Sequence, residues 1–371
     1  MKLKLLKLTD TLVGKPLCWL VGYWDYLFNC PNKERTIPEP RKILVIRPGG
    51  MGDFLYLLPA LQLLRRKYPQ ARLDVLAESR NRAVQGLSGA IGRLLLYDAH
   101  PLATLAALRS GKYDLVIDSE QFHNFSALFA YLTGAPARIG FKTVPFRNHL
   151  YTHLVDYSLT GFEAGEFAGL LAPLGIETSG RVDLTGAIDR ATYQGAALPA
   201  AFTALRQRCQ KLIVIAPRGG DKYREWGADK YRQVVTRLLV NPAHGVVIVG
   251  GKQEAKLAAA LAVTGERLLS LVGQTELPAL CRIIADSDLF IGADSGLAVL
   301  ANVLGQKSVT IFGATDHRKW AAPGQTQTVI NSDLPCAPCY HFGSHKLCRN
   351  IDCLAGISAD RVGAAVDRAL S

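Results

Sequence analysis

LFIGADSGLAVLANVLGQKSVTIFGAT, residues 289–315, is the stretch whose reading decides the fold. Residues 289–291 form an apolar strand, 292–296 a tight turn, 297–304 a helix and 308–312 a second strand, closed by a Gly-Ala-Thr turn. A strand that runs through a glycine-bearing turn into a helix gathers unpaired backbone N–H groups and the positive end of a helix dipole at one point. That is a ready anion site, most often for phosphate. Asp294 and Ser295 stand where an N-cap and a ligand-facing hydroxyl belong. An ordinary capped βα turn would read the same way, so the rest of the chain has to decide.

The chain has 371 residues, more than one hydrophobic core usually organises, so two domains are expected. With 49% hydrophobic and 20% charged residues, and no repeat or low-complexity tract, it is globular rather than disordered. A formal net charge of +12 favours acidic partners: nucleotide phosphates, anionic lipid or nucleic acid. The basic residues are scattered rather than striped and no nucleic-acid module is present, so no nucleic-acid partner is expected. Four of the cysteines (Cys18, Cys30, Cys209, Cys281) are dispersed, which points to a reducing compartment rather than a disulfide scaffold.

Residues 1–41 differ from the rest. KLKLLKLTDTLVGK sets Lys2, Lys4, Lys7 and Lys15 among leucines, and PLCWLVGYWDYLF follows with two tryptophans and two tyrosines. Lys15, Pro16 and Asp25 interrupt any run long enough to span a bilayer, and no small-residue cleavage site follows. A basic, leucine-rich and aromatic segment is the composition of an interfacial helix, so residues 1–28 are expected on an anionic membrane surface. Packing on the protein itself or on a second subunit is the alternative. PNKERTIPEPR (31–41) reads as a linker.

A first α/β domain is expected over 42–205. Residues 42–46 are a buried strand, 48–52 a glycine-rich loop and 54–68 a helix, with Leu57, Leu58, Leu61 and Leu64 at helical spacing. RLDVLAES and YDLVIDSE are further strands. Repeated βα units imply a parallel sheet whose ligands meet the loops after the strand ends. GGMGD (49–53) is not the dinucleotide fingerprint, but Gly49, Gly50 and Gly52 let backbone approach a ligand, and Asp53 opens the helix. By itself Asp53 reads as a helix N-terminal acid. A second domain over 206–371 repeats the plan: KLIVIA, then the basic loop PRGGDKYREW, a helix at 231–239, a strand at 245–249, and GGKQEAKLAAAL with Glu254 in a first helical turn. Asp286 and Asp288 form a D-x-D that reads as solvated turn residues rather than a metal pair.

Together these stretches resemble glycosyltransferase family 9, the bacterial heptosyltransferases that use ADP-heptose, from about residue 42 to residue 366. The carriers are DSGLAVLANVLGQKSVTIFGATD, GGMGD with its Leu-Pro-Ala-Leu helix, LTGAPARIGF and PRGGDKYREW, in order. The resemblance implies an α/β GT-B fold: two Rossmann-like domains facing a cleft, acceptor on the N-terminal one, nucleotide sugar on the C-terminal one, and the last helix packing back on the N-terminal domain. It implies an inverting transfer that needs no metal or other cofactor. Asp53 would be the general base; Ser295 and Gly296 N–H groups, Thr315 and Arg224 would hold the diphosphate; Asp294 would face the donor sugar and Glu254 the ribose. Two departures stand out. Arg224 replaces the family's usual Lys, which keeps the charge. Val299 replaces a His three residues past the Asp-Ser-Gly triplet, which removes a hydrogen-bonding side chain.

CAPCYHFGSHKLCRNIDC (336–353) brings Cys336, Cys339, Cys348 and Cys353 together with His341 and His345. The spacing suits structural zinc, reduced thiols or a local disulfide. The expectation is therefore a cytoplasmic glycosyltransferase, peripheral on the inner face of the membrane. It would move a sugar, heptose by default, from a nucleoside diphosphate onto a lipopolysaccharide or other lipid-linked glycan. A non-catalytic nucleotide- or glycan-binding scaffold and a nucleotide-sugar epimerase are the rival readings.

Overall fold

The computed structural model describes residues 8–28, 37–178, 182–261, 263, 265–322, 324, 326–341, 344–345, 348 and 350–371, without the side chains of Tyr26, Phe28, His341, Ser344 and His345. Residues 1–7 of the basic segment and 31–36 of the linker lie outside them. The chain divides into two compact units, up to Val182 and from Asp183. Each contains a six-stranded parallel sheet with helices.

In the first unit the strands are β1 (Lys42–Arg47), β2 (Arg72–Ala77), β3 (Arg93–Leu96), β4 (Leu115–Asp118), β5 (Ala137–Lys142) and β6 (His153–Asp156), in the order β3-β2-β1-β4-β5-β6. β1, β2 and β4 are buried almost throughout, which is why they read as unbroken apolar runs. The helix α2 (Met51–Lys67) starts three residues before its expected first turn and buries Leu57, Leu58, Leu61 and Leu64, the face its periodicity marked. The N-terminal helix α1 (Lys15–Phe28) packs on α3 (Asn124–Leu132) and α4 (Pro145–Asn148).

The second unit holds β7 (Lys211–Ala216), β8 (His244–Ile248), β9 (Leu268–Ser270), β10 (Leu289–Ala293), β11 (Ser308–Phe312) and β12 (Gln327–Asn331), in the order β12-β11-β10-β7-β8-β9. The deciding stretch is β10, the helix α5 (Gly296–Val303) and β11; the strand takes in Gly292 and Ala293, so the turn is shorter than the sequence suggested. Residues 183–205 belong to this unit, and the helix Ala200–Arg208 packs on β8 and β9 rather than on the first sheet. The last helix, α6 (Ala359–Leu370), was expected on the N-terminal domain. Its buried residues Val362, Ala365 and Val366 instead join the core of the second unit, beside β11 and β12. No described helix is long and apolar enough to cross a membrane.

Candidate active site

In both sheets the strand order reverses at one place, between β1 and β4 and between β7 and β10. Loops leaving adjacent strands in opposite directions there open a crevice at the carboxyl ends, where doubly wound sheets bind ligands. Asp53, Arg224, Glu254, Asp294 and Thr315 all follow strands, at the carboxyl ends of these sheets.

At the first switch point β1 ends on Arg47, and Pro48–Gly50 leads into α2. Asp53 Oδ2 accepts the Gly50 N–H at 2.9 Å, a capping-box bond that fixes the carboxylate over the helix start. Its other oxygen lies 3.8 Å from Arg47 Nη2, and the side chain keeps 30% of its exposure. Gly49 has φ of +120°, and a Cβ there would stand 3.0 Å from Asp53 Oδ2 and 3.3 Å from Arg47 Nη2. Any larger residue would strain the turn and crowd the carboxylate.

Arg47 is buried and joins the two loops. Nη1 donates to the Ser119 carbonyl at 2.7 Å, Nη2 lies 3.8 Å from Glu120 Oε2, and its Cζ is 4.7 Å from the centre of the Phe167 ring. Burial alone would raise the Glu120 carboxyl, but His123, Arg47, Arg147 and the Phe122 N–H bring it down to about 2. Beneath this pair lies a second buried cation. Arg147 Nη2 lies 3.4 Å from Asp118 Oδ2 and donates to the Glu120 carbonyl at 2.9 Å and to Tyr151 Oη at 3.0 Å. The Tyr151 hydroxyl donates to Asp118 at 2.6 Å. Sequence reading missed Arg47, Glu120 and Arg147. An arginine closing an apolar strand and an acid just past one were the available signals for the first two; Arg147 gave none.

At the second switch point Arg224, from the loop after β7, meets Asp294, the first residue after β10. Arg224 Nη1 lies 4.0 Å from Asp294 Oδ2, while Nη2 donates to Asp221 Oδ2 at 3.1 Å. The Tyr340 hydroxyl donates to the same Asp221 oxygen at 2.8 Å, and its ring lies 5.9 Å from Arg224 Cζ. Burial works against the guanidinium charge, but Asp294, Asp221 and Tyr340 more than offset it, so Arg224 stays a cation. Trp226 anchors the loop by donating Nε1–H to the Ile357 carbonyl at 2.9 Å. Ser295 is the N-cap of α5, and its Oγ accepts from the Ala298 N–H at 3.5 Å. The N–H groups of the first turn have no intrahelical acceptor.

Thr315 follows β11, beside these loops. It is 5% exposed, and its Oγ1 is buried with no hydrogen-bond partner. An unpaired buried hydroxyl carries a desolvation cost that a bound ligand would relieve. Thr315→Val is therefore expected to leave the free protein as stable or slightly more stable, and to weaken nucleotide-sugar binding. Thermal midpoints with and without donor check both halves.

Glu254 follows β8 and repeats the Asp53 arrangement: its carboxylate accepts the Gly251 N–H at 2.5 Å. Val299 is buried within α5. Asp286 and Asp288 are not merely solvated. Asp288 Oδ2 accepts from the Leu212 N–H at 2.8 Å and from Arg206 at 2.9 Å, and Asp286 pairs with Arg282 at 3.5 Å. Asp288 thus ties together the amino ends of β7 and β10, the edge opposite Asp294. Of the clustered cysteines Cys353 is buried and Cys336 exposed. Burial, with the thiols of Cys339, Cys348 and Cys336 nearby, raises the Cys353 thiol. Among the described residues no three ligating side chains converge as a metal site needs; the side chains of His341 and His345 lie outside them.

The two sheets and their connections define a GT-B protein. The structure superposes on E. coli ADP-heptose lipopolysaccharide heptosyltransferase II with a TM-score of 0.68 at 20% identity, covering 89% of this chain and 98% of that one. It matches E. coli heptosyltransferase WaaC bound to ADP-2-deoxy-2-fluoro heptose with a TM-score of 0.66 at 19% identity, over 88% and 99% of the two chains. In sequence it is 27% identical over 345 residues to lipopolysaccharide heptosyltransferase 3 of E. coli K12, covering 86% of this chain and 95% of that protein. Residues 178–348 match the model of glycosyltransferase family 9 (heptosyltransferase). Over those residues the chain is similar to glycosyltransferase family 9, and its relatives support a glycosyltransferase activity.

Proposed function

We propose that this glycosyltransferase moves heptose from ADP-heptose onto a lipopolysaccharide-type, lipid-borne acceptor at the inner face of the cytoplasmic membrane, with inversion and without a metal ion. The observation that carries this reading is the pair of switch points. A partly exposed carboxylate is fixed at one, and a cation, a helix N-terminus and an unpaired hydroxyl are gathered at the other.

In this reading Asp53 takes the proton of the acceptor hydroxyl as its oxygen attacks the anomeric carbon. The new C–O bond forms on the face opposite the diphosphate, so the configuration inverts. The bond from the anomeric carbon to the diphosphate oxygen breaks, and the diphosphate leaves with its electron pair. Arg224, the Ser295 and Gly296 N–H groups and the Thr315 hydroxyl stabilise the charge that develops there. Asp294 contacts the donor sugar and Glu254 the ribose hydroxyls, while Gly49 and Gly50, with Gly52 in the first turn of α2, let the substrate approach Asp53. A cation and a helix end supply the stabilisation a divalent ion would otherwise give, so activity is expected to survive EDTA. The names of the relatives support the choice of heptose and ADP. Val299 leaves the donor without the family's histidine contact and keeps the scaffold reading as the rival.

Thermal unfolding with ADP-, GDP-, UDP- and dTDP-sugars tests the donor site, because a ligand of the native state raises the midpoint. A shift with the ADP-sugar is expected. Arg224→Ala should weaken that binding roughly ten- to a hundredfold, the usual loss of a charge-assisted hydrogen bond. No shift with any of the four would contradict the proposal.

A further inference from the structure

The N-terminal helix presents two different faces. The face toward the first unit is built from Gly14, Cys18, Gly22 and Asp25, all buried and spaced as one helical stripe. A Cβ on Gly22 would lie 2.6 Å from the Phe146 carbonyl, so the helix sits against α4 at a distance only glycine permits. Asp10, in the turn before α1, accepts from the Asn124 and Phe125 N–H groups at 3.1 and 2.8 Å. Asp25 is buried and hydrogen-bonded with Tyr131. Both acids of the segment are thereby turned into the protein.

The outward face is apolar. Of the 14 large hydrophobic side chains exposed among the described residues, nine fall in residues 8–27, including Leu12, Leu17, Trp19, Leu20 and Tyr23. Leu12 is 64% exposed and Trp19 53%, and Trp19 stacks on Tyr23 with ring centres 5.7 Å apart. Such a patch is larger than scattered surface leucines account for and marks an interaction surface. Lys15 is exposed on the helix, and in the sequence Lys2, Lys4 and Lys7 precede it.

We propose that this face is a docking surface for an anionic lipid bilayer. Leucines, tryptophan and tyrosine enter the headgroup boundary while the lysines meet lipid phosphates. A second copy of the chain fits less well, because a self-complementary contact would set lysine against lysine with no acid on the face to balance them. The surface extends the proposed lipid-borne acceptor to a means of reaching it, but does not depend on transfer taking place.

The test is sedimentation of the full-length protein with vesicles of phosphatidylglycerol and phosphatidylcholine, with no donor and no glycan present. The expected result is binding that weakens in high salt and falls on vesicles of phosphatidylcholine alone. Leu12→Gln/Trp19→Gln/Leu20→Gln should bind roughly a hundredfold more weakly, since three inserted apolar side chains are lost. Its thermal midpoint and donor-induced shift should match those of the parent. Equal sedimentation of parent and variant, or none by the parent, would overturn the proposal. So would a concentration-dependent dimer that the triple exchange dissolves. Because the vesicles carry no acceptor, lost transfer with intact sedimentation would count against the function alone.

Discussion

Asp53→Asn is expected to lower kcat by roughly 10² to 10⁴, the range over which a positioned general base contributes. The amide keeps an oxygen for the Gly50 N–H, so the 2.9 Å capping bond can persist while the base is lost. Stability and donor affinity should therefore stay near those of the parent. Asp53→Ala removes both functions and should in addition cost about 0.5–2 kcal/mol, the usual price of losing a helix cap. Comparing the two variants by steady-state kinetics and by denaturant unfolding separates chemistry from helix capping. An Asn variant with parental kcat would reduce Asp53 to a cap.

Arg147→Met should destabilise the first unit by about 3–5 kcal/mol, the cost of stranding a buried charge by removing its partner. Asp118 and Arg147 are both fully buried, and Arg147 is also tied to the Glu120 carbonyl and Tyr151. Burial already raises the Asp118 carboxyl, and Arg147 is the main influence opposing it. Without that cation the carboxyl rises further, so the native state binds a proton that the unfolded chain releases. Stability gained this way is fully present below the unfolded value near 4 and lost as pH climbs through the folded one. The deficit of Arg147→Met should therefore be larger at pH 7 than at pH 4. Adding Asp118→Asn, which removes the stranded charge, should restore part of the loss. Urea unfolding of the parent and the two variants at both pH values checks this.

Much of the fold was legible because its signals are local. Apolar runs such as KILVIR and KLIVIA, each followed by a glycine turn and a helix, carry the parallel sheet without help from distant residues. The positions of Asp53, Arg224, Glu254, Asp294 and Thr315 at strand ends follow from the same pattern, since each loop leaves the carboxyl edge of its sheet. What the sequence hides is long-range. Asp288 looks solvated until the Leu212 N–H, 76 residues away, is found on it. Nothing in VPFRNHL distinguishes Arg147 from a surface arginine, because its partners Asp118 and Glu120 come from the end of β4 and the loop after it. The amphipathic pattern of the last helix says that one face is buried but not which surface receives it, and that surface is the second unit's own sheet edge. Aspartates 10 and 25 in the N-terminal segment look like solvating charges, and only the packing of α1 turns them inward.

Mass spectrometry of a heptose-deficient lipopolysaccharide acceptor, incubated with ADP-heptose and either the parent or Asp53→Asn, tests the central claim most directly. The account predicts an acceptor heavier by one heptose with the parent and little or no product with the variant over the same time. Donor binding with an unchanged acceptor mass would contradict it and favour a nucleotide-binding scaffold.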